Sequence, residues 1–148
     1  MDKTKTLESV INAKKAHESQ MQKIDTAIEG GVVANPTSIS HTECDFGQWL
    51  YAEDTNLRKI LGALFYDKLE LLHTQWHGEY AKVFEILFNK EEKKGFFAKF
   101  TKDVQISEMD MDRVKIYYSE LASTTKELIQ TIDASHRRLR ALQESKFE

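Results

Sequence analysis

The sequence predicts an all-α protein, organised as a four-helix bundle with additional short helices. Apolar residues recur at helical spacing along most of the 148-residue chain, and no segment alternates apolar and polar residues for long enough to indicate a sheet. The only proline, Pro36, lies in the one long segment rich in helix-breaking residues, 30–38. We therefore expect helices on both sides of this segment. One domain should cover residues 1–148, with 126–148 as a candidate helical extension.

Three long helices are predicted from the spacing of apolar residues. In the first and the last, about 108–144, positions three and four apart form one face, as in a helix of a bundle. A middle helix should cover 54–89, where only Gly62 and Gly78 interrupt a broad apolar surface. Shorter helices are expected over 93–104 and just after Cys44. The two faces comprise Leu7, Val10, Lys14, His17, Met21, Ile24 and Ile28, and then Val114, Tyr118, Leu121, Thr125, Leu128, Ile132, Ser135, Leu139 and Leu142.

Charge and hydropathy argue against two classes of partner. The formal net charge is −3, so the chain lacks the positive field that attracts nucleic acid or anionic lipid. Its basic stretch, 90–94, mixes lysines with acids and indicates a solvated helix end. Phe96, Phe97 and Phe100 follow it, but a helix that binds a membrane surface needs a strongly basic polar face. No segment reaches the roughly 18 apolar residues of a transmembrane helix, and residues 1–6 are too polar for a signal peptide. We expect a cytoplasmic protein that binds neither nucleic acid nor membranes.

Three histidines on predicted helix faces indicate a metal site. His73 and His77 lie one helical turn apart, so both imidazoles can reach one ion at about 2.0 Å. A single histidine such as His17 is more often a core residue, but burying three imidazoles is costly unless a shared cation satisfies a lone pair on each. Cys44, the only cysteine, cannot form an intrachain disulfide, and its thiolate would complete a shell that suits zinc. His41 competes as the fourth ligand, although its loop position favours a solvated side chain.

A short motif around the cysteine connects the chain with a known family. Residues 44–49 read Cys-Asp-Phe-Gly-Gln-Trp and resemble the C-x-[FL]-G-x-W signature of the chemoreceptor zinc-binding (CZB) domain. In that family an upstream helix provides a histidine, the motif a cysteine, and a later helix an H-x-x-x-H pair. The resemblance covers about residues 10–125, and Gln20 departs from it where the family often has tryptophan. The residues that follow the family order are His17, Cys44, His73 and His77.

The resemblance implies a bacterial regulatory domain in which these four residues hold one Zn²⁺. Members of the family look like cytosolic sensors of zinc or of oxidants such as hypochlorous acid, acting on chemotaxis or cyclic-di-GMP signalling. Cys44 would be a redox switch, because oxidation to sulfenic acid weakens one of four metal bonds. The resemblance also implies a homodimer and a signalling partner in a chemoreceptor or diguanylate cyclase pathway. The long last helix gives a separate reason to expect association.

Residues near the four ligands are expected to support them. Gly47 allows either a close approach of the backbone or an unusual φ. Phe46 and Trp49 should anchor the motif in the core. His136, among arginines, should lie on an exposed cationic surface. The acids that could orient imidazoles are Glu43, Asp45 and Glu70.

Four protein ligands would leave no position for a catalytic water, so we predict no enzyme activity.

Two other classes of protein remain open. A di-iron bundle could use the Glu-x-x-His spacing of Glu70 and His73, with Asp133 and His136 as the nearest second copy, although it leaves Cys44 without a role. A histidine phosphotransfer module would need an exposed histidine, for which His136 is the candidate.

Overall fold

The computed structural model describes residues 1–33, 36–88 and 106–148. Within these ranges the chain forms helices and connecting segments but no strand, which confirms the all-α prediction. The predicted helix over 93–104, the basic stretch and its three phenylalanines lie outside the described residues. The helices are α1 (Lys3–Ile28), α2 (Asp45–Leu50), α3 (Leu57–Leu61), α4 (Ala63–Leu87) and α5 (Glu108–Ala141), with 3₁₀ turns at Glu53–Thr55 and Glu144–Phe147.

Three long helices form the body of the bundle in the described part of the chain. Helix α5 packs against both α4 and α1, while the short α2 packs on α1. Lys14 lies on the apolar face of α1 but keeps its charged end at the surface, where its Nζ is 3.0 Å from Asp133 Oδ1 of α5. The facing sides of the helices bury an apolar core that includes Val10, Ile24, Leu69, Trp76, Val83, Leu121, Leu128 and Leu139.

The prediction of one continuous helix over 54–89 is wrong at its N-terminal end. Asn56 and Gly62 have φ angles of 50° and 87°, in the left-handed region that an α-helix does not use. The chain therefore forms a 3₁₀ turn and the separate short helix α3 before α4 begins at Ala63. Glycine adopts a positive φ without steric cost, so Gly62 is a helix boundary and not a tolerated interior residue. This boundary sets the start of the helix that carries His73 and His77.

Local signals account for where the long helices begin and end. Asp2 caps α1 by accepting the Lys5 N–H at 2.8 Å, and Ser107 caps α5 by accepting the Asp110 N–H at 3.1 Å. Helix α5 ends at Ala141, and Phe147 in the 3₁₀ turn that follows is buried. None of the helices in the described ranges is both long and apolar enough to cross a membrane.

Candidate metal centre

Helix α4 places two imidazoles side by side in the core. His73 and His77 are one turn apart, and their ring centroids are 4.6 Å apart. Both side chains are buried, His73 completely. The aromatic ring of Trp76 lies 4.9 Å from that of His77 and fills the space beside it. The helical spacing of this pair thus produces the shared inward face that the sequence predicts.

Helix α1 brings the third histidine to the same place. The ring of His17 lies 5.2 Å from that of His73 and 6.2 Å from that of His77. One nitrogen from each of the three residues can be chosen so that all lie within 4.8 Å of one another. A bundle in which α1 and α4 both contribute to one core therefore assembles the three-histidine cluster.

Cys44 reaches the cluster from the start of α2. Its Sγ lies 3.2 Å from Nε2 of His73, and only 8% of the residue is exposed. The same sulfur caps α2 by accepting the Gly47 N–H at 3.3 Å. All four residues predicted as ligands are therefore neighbours in the folded chain.

The segment that delivers Cys44, residues 36–44, is here named the Cys44 strap. Three buried side chains bind its backbone. Gln20 Oε1 accepts the Thr37 N–H at 2.9 Å, and the Tyr80 hydroxyl donates to the Thr37 carbonyl at 2.8 Å. Nδ1–H of His77 donates to the Ile39 carbonyl at 2.9 Å. Gln20 thus has a specific role at the position where it departs from the family pattern, and a strap contact also orients His77.

Gly47 allows the strap to pass close to α2. A Cβ atom at this position would overlap the backbone carbonyl oxygen of His41. Gly47 does not have a positive φ, so of the two readings from sequence the close approach is the correct one. Any larger residue would push the turn that ends at Cys44 away from the helix.

The two aromatic residues of the motif are buried, as predicted. Phe46 is 3% and Trp49 9% exposed. The Phe46 ring packs edge-on against His73, with centroids 4.6 Å apart, and it also contacts His17 at 5.6 Å. Phe46 therefore forms an apolar wall of the cluster and limits how far the His73 imidazole can turn.

Burial disfavours the protonated form of all three imidazoles in the cluster. It lowers the pKa of His17, and it lowers the pKa of His73 to about 2 and that of His77 to about 4, helped by repulsion from neighbouring histidines. Burial raises the pKa of the Cys44 thiol, against the opposing hydrogen bond from the Gly47 N–H. Neutral imidazole is the form that binds metal ions, so only the thiol would have to lose a proton.

Backbone carbonyls orient two of the imidazoles. His17 Nδ1–H donates to the Ala13 carbonyl at 2.8 Å, and His77 Nδ1–H donates to Ile39 as described above. These donations leave the Nε2 lone pair of each ring available. The sequence pointed to acids for this function, but the Glu43 carboxylate instead accepts a hydrogen bond from Ser38 at 3.3 Å.

The arrangement fits a zinc ion. Nε2 of His77 is buried without a hydrogen-bond partner, a costly state that a cation can relieve. Ligand atoms on one tetrahedral zinc are about 3.5 Å apart, close to the 3.2 Å between Cys44 Sγ and His73 Nε2. Three nitrogens and one sulfur also match the ligand preference of zinc.

The remaining two histidines lie outside the three-histidine cluster. His41 is partly buried on the strap, with its ring centroid 6.4 Å from that of His73. His136 is partly buried on α5 and lines a groove with Lys14 and Asp133. Neither imidazole forms a hydrogen bond with the Cys44 sulfur, whereas Nε2 of His73 lies 3.2 Å from it.

Comparison with known proteins agrees with this geometry. Residues 17–84 match the family model described as the chemoreceptor zinc-binding domain, CZB. The matched segment begins at His17 and contains the Cys44 motif and the His73–His77 pair. No curated protein and no solved structure matches the chain. Residues 17–84, which contain all four predicted ligands, are therefore similar to the CZB domain.

Proposed function

We propose that the chain is a sensory zinc domain in which His17, Cys44, His73 and His77 bind one Zn²⁺. The observation that carries the proposal is the buried cluster of three imidazoles, with the Cys44 thiol in contact with one of them, His73. The family is a regulatory zinc-binding domain and not a known enzyme class, which supports zinc as the ion and regulation as the role. When bound, zinc would stabilise the Cys44 thiolate and join the strap to α1 and α4.

Cys44 is the proposed point at which a signal acts. A cavity of about 230 Å³ borders it, together with strap residues Thr37 and Ser38, and offers a small oxidant a path to the sulfur. Hypochlorous acid transfers Cl⁺ to the thiolate, and water then displaces chloride to give sulfenic acid. The sulfur loses two electrons, and the chlorine leaves as chloride. Because the same sulfur caps α2, its oxidation would weaken both the metal shell and this helix cap.

The proposed output is chemotaxis or cyclic-di-GMP signalling through a homodimer. Exposed apolar residues seven positions apart on α4 and on α5 support association of two chains. Leu64 and Leu71 are 82% and 67% exposed, and Met109 and Ile116 are 75% and 60% exposed. Seven residues correspond to about two helical turns, so each pair lies on one side of its helix.

The two alternative functions have less support. A di-iron site needs several inward carboxylates. Among the described residues, the one group that could hold a metal ion consists of histidines, while Asp133 pairs with Lys14 at the surface. A phosphotransfer role for His136 would leave the buried cluster and Cys44 unexplained.

Protein purified without added metal should contain about one zinc ion per chain. Cys44→Ala and His73→Ala each remove one proposed ligand, and we expect zinc affinity to fall by about tenfold or more. Elemental analysis and competition with a chromophoric chelator measure these values, with His136→Ala as the matched control that should resemble the parent. Absence of zinc from the parent under non-chelating conditions, or full affinity in both ligand variants, would contradict the site.

Gly47→Ala should weaken zinc binding although Gly47 provides no ligand. Its new Cβ would collide with the His41 carbonyl and displace the turn that holds Cys44. We expect a loss of roughly tenfold, in the range for residues that position metal ligands. Gly78→Ala is the control, because a Cβ there meets nothing within 4 Å. Equal zinc affinity in the two glycine variants would show that the close approach does not position Cys44.

One equivalent of hypochlorous acid should oxidise Cys44 before the methionines and lower zinc affinity. Peptide mass spectrometry locates the added oxygen, and chelator competition on the same sample measures the affinity. Reduction of the sulfenic acid by a thiol should restore the original value. Oxidation confined to methionine, or unchanged affinity after complete oxidation of Cys44, would rule out this switch.

The homodimer is tested by sedimentation of the zinc-loaded chain. At micromolar concentration the parent should sediment with the mass of two chains. Leu71→Glu places a charge on the exposed apolar side of α4 and should shift the population towards one chain. A parent that remains monomeric over this concentration range would refute the dimer while leaving the zinc site intact.

A further inference from the structure

We infer that His41 is a reserve zinc ligand that replaces Cys44 when the thiolate is lost. The inference rests on the proposed function, because it requires zinc at the three-histidine cluster. It concerns the protein after Cys44 has been oxidised. Zinc would then stay bound by four nitrogen atoms, with lower affinity, and would not need to be recaptured when the thiol is restored.

The distance from His41 to the cluster is close to distances found within it. The His41 and His73 ring centroids are 6.4 Å apart, compared with 6.2 Å for His17 and His77. Two imidazoles bound to one zinc ion have ring centroids about 5 Å apart. The His41 ring is therefore about 1 Å farther from His73 than the ring of a second zinc ligand would be.

The backbone holds His41 and Cys44 in one tight turn. The N–H groups of Glu43 and Cys44 donate to the Ser40 carbonyl at 3.2 and 3.3 Å. The carbonyl of His41 itself lies against Gly47, so the backbone from which its ring extends is held in place. The movement that we infer for the imidazole is therefore a change of rotamer on this backbone.

The His41 ring is also available to move. No hydrogen bond joins it to another described residue, and its recorded ring contacts are with His73 and, edge-on at 5.9 Å, with Tyr51. By contrast, His17 and His77 are each held by a hydrogen bond to a backbone carbonyl.

Loss of the Cys44 thiolate frees the fourth coordination position on zinc, which His41 can then occupy. Three histidine ligands alone leave an open site on zinc, which water normally fills. An imidazole is a better zinc ligand than water, and attachment to the same strap gives it a high effective concentration. With Cys44 intact, the fourth position is taken and His41 has no reason to enter.

The inference is tested with the parent, His41→Ala, Cys44→Ala and the double variant. Chelator competition should show His41→Ala within about twofold of the parent, because the fourth position is filled by sulfur. The double variant should bind zinc about tenfold more weakly than Cys44→Ala. Cys44→Ala combined with His136→Ala is the matched control and should resemble Cys44→Ala alone.

A second readout does not depend on substituting His41. In ¹⁵N-labelled Cys44→Ala, zinc should shift the imidazole nitrogen resonances of His41, whereas in the parent it should leave them unchanged. Equal affinity of Cys44→Ala and the double variant, with no shift at His41, would overturn the inference. The proposed function would survive that result if the parent still binds zinc more tightly. Loss of zinc from His41→Ala alone would make His41 a primary ligand and would also overturn the reserve role.

Discussion

Three imidazoles and a thiol share the centre of this bundle, and their polar atoms have to be satisfied away from water. An unpartnered polar group in a protein core is costly, and a buried charge is more so. The fold meets part of this requirement by keeping the imidazoles neutral. In addition, the Nδ1–H groups of His17 and His77 donate hydrogen bonds to the carbonyls of Ala13 and Ile39. The unpartnered Nε2 of His77 offers a lone pair to a cation, so metal binding there would favour the folded state.

The same requirement explains the construction of the Cys44 strap. A thiolate ligand has to approach from outside the helices, so a non-helical segment must enter the core without leaving its backbone groups unpaired. Gln20 and Tyr80 satisfy both backbone groups of Thr37, and His77 satisfies the carbonyl of Ile39. The strap is therefore bound to α1 and α4 by hydrogen bonds that do not involve a metal, and Cys44 at its end lies beside the histidine cluster.

The parts of the centre that depend on periodicity could be predicted from sequence. Helical spacing placed His17, His73 and His77 on inward faces, and donor chemistry together with the motif added Cys44. The break at Gly62 could not be predicted, because a glycine in a helical pattern becomes a boundary only when packing demands a positive φ. Gln20 also gave no signal, since a side chain that binds a distant backbone group leaves no periodic trace.

The central claim is that one sulfur and three nitrogen atoms surround a single zinc ion in this chain. X-ray absorption at the zinc edge of the zinc-loaded protein tests it directly. The account predicts one sulfur at about 2.3 Å and three nitrogens at about 2.0 Å. A shell without sulfur in the reduced protein would contradict it, because Cys44 would then lie beside the cluster without binding the metal.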